Sequence, residues 1–171
     1  MTEGRPNPLR RDAPIYVLVA AVLLVALFWP PAGVVSRSIE MDETAVPDLV
    51  SGWGEPERSG RLTFMWAVDH EAAVRLQVEA PRDRVVSVRC WPIALPDGTQ
   101  DMAVLLNGTL LTSFELDNRA RIYSATAPSS AFRPAGEQNV LEFYLGHLHR
   151  PPGDPRSLAV AFDWIRVVDL E

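Results

Sequence analysis

The sequence predicts an all-β fold, an antiparallel β-sandwich, preceded by one transmembrane α-helix. Three observations carry that reading. Residues 13–29 hold no charged side chain and, with 30–35, form an apolar stretch of about 23 positions, enough for one membrane crossing. Eight later runs read as short strands, and those at 62–69 and 74–79 alternate with a period of two, as strands with one buried face do. Between two of those runs sits Asn107-Gly108, the residue pair that a tight hairpin turn demands, because both of its central residues take positive φ.

The apolar stretch divides the chain. A helix rises about 1.5 Å per residue, so about 20 residues cross the roughly 30 Å hydrocarbon layer, and residues 13–35 suffice for a single short span. Pro14 falls in the first turn, where its missing N–H costs nothing, while Pro30 and Pro31 oppose continuation. Tyr16 and Trp29 stand near the two ends, at the level amphipathic rings favour, and Leu23 lies near the middle. Arg5, Arg10 and Arg11 precede the span, whereas Glu40, Asp42 and Glu43 follow it. Basic flanks stay inside, so residues 1–12 form a cytoplasmic tail and the remainder is extracytoplasmic. A cleaved secretory signal shares this order of segments over an apolar core of about 7 to 15 residues. The present stretch is longer, and Pro31-Ala32-Gly33 is a poor cleavage site, which favours a retained anchor.

Residues 36–52 are acidic and aperiodic, as expected of a linker, and leave 53–171 for the sandwich. About 135 residues beyond the span make one compact domain, too few for two. The strand runs are 62–69, 74–79, 84–93, 102–106, 109–116, 119–126, 139–147 and 157–168. In the first of these, Phe64, Trp66 and Val68 are expected on the core face. Asp117-Asn118 marks a second tight turn, and 128–136 a longer loop with room for one helical turn. The last run is apolar on both faces, so it belongs in the middle of a sheet, with a bulge near Asp163 keeping Leu158, Val160, Ile165 and Val167 inward.

Composition excludes several functions. The formal charge is -6, and the sixteen basic residues, all arginine, are scattered among 22 acids, so the basic stripe that nucleic acid requires is absent. The lack of lysine fits a GC-rich bacterial genome. Cys90 is the only cysteine, lies in an apolar run and reads as a small buried hydrophobe.

Gly52-Trp53 with Glu55 and Glu57, an alternating strand, the Val-Leu-Leu-Asn-Gly hairpin at 104–108, and the segment Asp154-Pro155-Arg156-Ser157-Leu158 leading into the last strand resemble galactose-binding-like domains of bacterial envelope proteins. The resemblance covers roughly 52–170. It implies a jelly-roll β-sandwich often found in sugar-handling proteins, and it transfers no binding residue, since such sandwiches host many activities.

Chemistry-bearing patterns are sparse. His147 and His149 project from one strand end and His70 lies between two acids, but the sequence aligns only two metal ligands and no metal site is assigned. No nucleophile elbow, phosphate loop, dinucleotide fingerprint or Cys-x-x-Cys occurs, so the chain reads as a non-enzyme without cofactors. Asn107-Gly108-Thr109 has the form of a glycosylation sequon but reads as turn chemistry. Trp53, Trp91 and Trp164 stand at loop or strand-edge positions and make the candidate recognition surface.

Two functions fit. The first is a single-pass accessory subunit of the bacterial cytoplasmic (inner) membrane, non-catalytic, whose periplasmic sandwich packs on a larger membrane protein complex, of photosynthetic reaction-centre, light-harvesting or respiratory type. The alternative is a membrane-tethered carbohydrate-binding module in cell-envelope glycan handling, which requires aromatic and acidic groups free for ligand on one face. Both have the lipid bilayer as a partner. Substituting Leu23→Arg places a charge at mid-bilayer at a cost of about 2.5 to 3.5 kcal/mol. The expected outcome is loss of the protein from the membrane fraction after alkaline extraction, and full retention would remove the anchor.

Overall fold

The structure is a computed structural model that describes residues 35–96 and 98–170. The tail at 1–12 and the apolar stretch through residue 34, with Tyr16, Leu23 and Trp29, lie outside the described residues. Among the described residues no helix is long and apolar enough to cross a membrane.

Eleven strands run in this part of the chain: β1 (Val35–Glu40), β2 (Leu49–Ser51), β3 (Trp53–Ser59), β4 (Leu62–Ala67), β5 (Glu71–Leu76), β6 (Arg84–Pro92), β7 (Gln100–Leu106), β8 (Thr109–Leu116), β9 (Arg121–Ala127), β10 (Asn139–Leu145) and β11 (Val160–Asp169). They form two antiparallel sheets. One has the order β3-β4-β11-β6-β9, with β1 also paired to β11, and the other the order β2-β5-β10-β7-β8. Antiparallel strands with one apolar face must bury it, and here the two sheets bury theirs against each other. The core between them is one cluster that includes Val86, Val88 and Cys90 from one sheet and Val104, Leu141 and Phe143 from the other.

Strand β6 shows the expected alternation residue by residue along its length. Strand β11 is the central element. Leu158, Ala159, Val160, Ala161 and Phe162 are all buried, because the stretch is covered on both faces. Its register against β6 shifts between Phe162 and Trp164, so Asp163 is the bulge, and Ile165 and Val167 return to the core at 1% exposure each.

The sequence expectation differs from the structure in two places. Residues 36–52 are not a linker, and the sandwich starts before residue 53. Val35, counted at the end of the span, begins β1. That strand pairs with β11, and Ile39 and Met41 are buried at 3% and 0% exposure. A short 3-10 turn, Glu43–Asp48, follows, capped by Asp42, whose carboxylate accepts from the Thr44 backbone N–H at 2.8 Å. The apolar residues here are few and interrupted by the turn, so no period of two is visible. In β4 the phase is opposite to that expected. Met65 and Ala67 face inward with no exposure, and Phe64 and Trp66 face outward. Alternate positions of β4 are apolar on both faces, so periodicity could not choose between them.

The Asn107-Gly108 turn joins β7 to β8 as expected, with φ of 52° and 77°. Asn107 also fastens the hairpin to β10. Its side-chain amide donates to the Ala131 carbonyl oxygen and to Asn139 Oδ1, both at 2.8 Å, and its Oδ1 accepts from the Val140 N–H at 2.9 Å. Asn139 is fully buried, so this network is shielded from water. Both amide hydrogens of the sequon asparagine are therefore engaged. Replacing Asn107 by alanine leaves several of these groups without partners, at a cost of about 1 to 3 kcal/mol each before relaxation. We expect Asn107→Ala to lose about 3 kcal/mol in urea unfolding, and a change below 0.5 kcal/mol, roughly what a neutral surface substitution gives, would show the network to be dispensable.

Candidate functional site

The outer face of the five-stranded sheet carries an open groove of about 520 Å³. Its position follows from strand register. Tyr144 on β10 pairs with Glu71 on β5 and Ala103 on β7, and Ala103 pairs with Ser113 on β8. One rung further, Asp101 pairs with Glu115. Small residues, Ala103, Ser113 and Gly146, leave the space open, and Tyr144, Asp101, Glu115 and His70 surround it. Tyr144 is 43% exposed, so its ring is open to solvent in the groove. Its phenol is held above the usual range, first by the negative charge of Glu71 and then by limited burial and Glu142.

The end of the groove is fixed by backbone and amide hydrogen bonds. Gln100, 1% exposed, donates from Nε2 to the His147 carbonyl oxygen at 2.6 Å and accepts the His147 N–H at 2.8 Å. The Leu145 N–H donates to the His70 carbonyl oxygen at 2.8 Å, and the Gly146 N–H to the Asp101 carbonyl oxygen at 3.0 Å. His70 Nδ1 lies 2.9 Å from the Leu145 carbonyl oxygen. These contacts hold the loop after β10 against the starts of β5 and β7, so the groove is built on rigid backbone.

The three candidate tryptophans do not form one surface. Trp53 is partly buried and packs against the core. Its Nε1–H donates to the Ala73 carbonyl oxygen at 2.8 Å, and its ring meets Phe162 and Phe143 edge-on at 5.1 and 6.3 Å, which ties β3 in one sheet to β5 in the other. Trp91 lies on the outer face of the six-stranded sheet, edge-on to Phe64 at 5.1 Å, and Phe64 in turn meets Trp66 at 6.1 Å. Trp66 and Trp91 both pair in register with Ala161, which they help to cover. Trp164 stands one rung away, with the Arg166 guanidinium 4.2 Å above its ring. On the outer face Trp66, Trp91 and Trp164 are half-buried against neighbours, and Phe64 is buried.

The segment from Asp154 to Leu158 is structural. Arg156 bonds Asp154 through Nε and NH2 at 3.0 and 2.7 Å and Glu57 through NH1 at 2.6 Å, locking the loop before β11 onto β3. The arginine holds the Asp154 carboxyl down at about 2. His147 and His149 belong to the loop after β10, and His149 bridges to Leu158 through backbone bonds. Among the described residues no three His, Cys, Asp or Glu side chains converge to hold a metal ion.

Tyr144, Asp101, Ser113 and Glu115 were not singled out by sequence reading. The available signal was parity in the run at 139–147, where an aromatic residue occupies an outward position between inward Phe143 and Leu145.

The sandwich is similar to solved structures of sugar-handling proteins. A native family 35 carbohydrate binding module from Clostridium thermocellum matches 78% of this chain and 99% of its own at 10% identity, with a TM-score of 0.50. A ruminal GH26 endo-β-1,4-mannanase matches 80% of this chain at 15% identity with a TM-score of 0.51, and the chain spans only 26% of that enzyme. At these identities the likeness is one of fold, an all-β two-sheet sandwich of jelly-roll type. No protein-family model matches the chain, and no curated protein is significantly similar to it in sequence.

Cys90, fully buried in β6, has its thiol pushed up to about 12 from an ordinary 9.0 by loss of solvent. Between those values the unfolded thiol ionises and the folded one does not, so stability falls as pH rises. Alkylation by iodoacetamide at pH 8 is expected to be slow in the native protein and complete in urea. Cys90→Ala should flatten part of the alkaline loss of stability. Rapid native alkylation would place the thiol at the surface.

Proposed function

We propose that this chain is a non-catalytic carbohydrate-recognition module, held at a bacterial cytoplasmic membrane by the apolar stretch that precedes β1, that binds glycan in the groove on the five-stranded sheet. The observation that carries the reading is the exposed Tyr144 ring beside the carboxylates of Asp101 and Glu115 in an open groove of about 520 Å³. A sugar ring offers an apolar face for stacking and a rim of hydroxyl donors, and the groove supplies an aromatic surface and acceptors for both. The likeness of fold to carbohydrate-binding modules supports this reading. So does the position of the groove, which lies at the end of the sandwich opposite the point where the chain enters it. Val35 pairs with Val168 at one end of β11, whereas Ala161 at the other end pairs with Trp66 and Trp91, next to the starts of β5 and β7.

The likenesses of fold give no support to the reading as an accessory subunit of a photosynthetic or respiratory complex. The test is a glycan array probed with the full-length protein, followed by calorimetry on the best ligand. Tyr144→Ala is expected to weaken binding about tenfold, a loss of about 1.4 kcal/mol, while Trp164→Ala on the other sheet leaves affinity unchanged and both variants keep the parent melting temperature within a few degrees. Absence of any glycan ligand, or equal loss from both variants, would overturn the proposal.

A further inference from the structure

The same groove carries a charge arrangement that specifies its ligand further. Asp101 and Glu115 are directly opposite each other on adjacent antiparallel strands, and both are exposed. Like charges in this position repel and weaken the pair. Among the described residues neither carboxylate takes part in a salt bridge, although Arg37, Arg84, Arg89, Arg121, Arg156 and Arg166 all do. Glu71 pairs with Tyr144 on the same rung, and Glu142 lies on the same face one rung further along β10. Basic groups on this face include Arg75, whose NH1 donates to the Pro47 carbonyl oxygen at 3.2 Å, and His70, whose Nδ1 is engaged with Leu145. Among the described residues no arginine forms a salt bridge with Asp101 or Glu115, so the groove combines an aromatic surface with a carboxylate pair that has no basic partner in contact.

Resting on the glycan reading above, we infer that the groove selects sugars bearing a free amine, with an ammonium group seated between Asp101 and Glu115 and a sugar ring against Tyr144. An ammonium brings one positive charge and three donors, so it relieves the cross-strand repulsion and satisfies both carboxylates. An acetylated amine or a hydroxyl supplies donors without charge. A uronic acid adds a further negative charge and is repelled.

Calorimetry with the full-length protein and three oligosaccharides of equal length, built of glucosamine, N-acetylglucosamine or galacturonic acid, tests the inference at pH 6. The glucosamine oligomer is expected to bind at least tenfold more tightly than its acetylated counterpart, and the acidic oligomer not at all. Raising the salt from 50 to 500 mM should erode the preference, since the contacts at an exposed groove are screened. The double variant Asp101→Asn with Glu115→Gln should reduce the preference to less than threefold. It should also melt at the parent temperature or above, because the repulsion is gone, which separates lost selectivity from lost folding. Glu43→Gln with Glu79→Gln removes the same charge elsewhere and is expected to leave the preference intact. Tight binding of the acetylated oligomer, weakened by Tyr144→Ala, would overturn the amine selectivity and leave the glycan reading standing. Equal loss of preference in both charge variants would reduce the effect to net charge and overturn it too. Failure of every glycan on the array would remove the parent reading itself.

Discussion

Burial of the start of β11, through Phe162, on both faces is the constraint on which the sandwich depends. Phe162 packs inward against Trp53 and Phe143, and Ala161 is covered on the other side by residues of the Phe64, Trp66 and Trp91 cluster. A strand covered on both sides has no solvent face to tolerate error, so its register must be fixed exactly once along its length. The Asp163 bulge does this. It lets small Ala161 face outward beneath the tryptophans and brings Ile165 and Val167 back to the interior. The pairing of β1, β4 and β6 to this strand then places the remaining elements, including the short connections that set the groove.

Much of this was legible in the residues. The all-β class, the hairpin at Asn107-Gly108, the central place of β11 and its bulge follow from period, turn chemistry and an apolar run that breaks phase. The first three strands were not legible for a physical reason. β2 has only three residues, and β3 carries Glu55, Pro56, Glu57 and Arg58 because it is an edge strand whose outer rim faces water. The phase of β4 was hidden because large aromatic residues on its outer face imitate a core stripe. Trp53 reads as a loop residue from its flanking glycines, yet those glycines serve the opposite purpose. A Cβ on Gly52 would stand 1.9 Å from the Glu71 carbonyl oxygen, and this close approach is what brings the indole against the core.

The site was less legible than the fold. Counting outward from the hairpin turn pairs Asp101 with Phe114, an inward residue, and conceals the acidic pair. The register shift between Val104 and Leu105 moves Glu115 into place instead. One extra residue in β8 thus decides which side chains share a rung, and sequence alone does not reveal it. Tyr144 needed no such correction, but a lone outward tyrosine acquires meaning only when Ala103, Ser113 and Gly146 are seen to clear the space in front of it. Tryptophans draw attention in a sequence, whereas the absence of bulk at three separated positions does not.

The geometry of β1 has a mechanical consequence. Five residues of β1 are matched to β11 in antiparallel register, with Val35 at the end remote from the groove. Tension applied between the groove and the amino-terminal side of the domain pulls β1 lengthwise past β11. The rungs then share the force in shear and yield together, instead of peeling apart singly, so the strand that introduces the chain into the domain also resists its extraction under load.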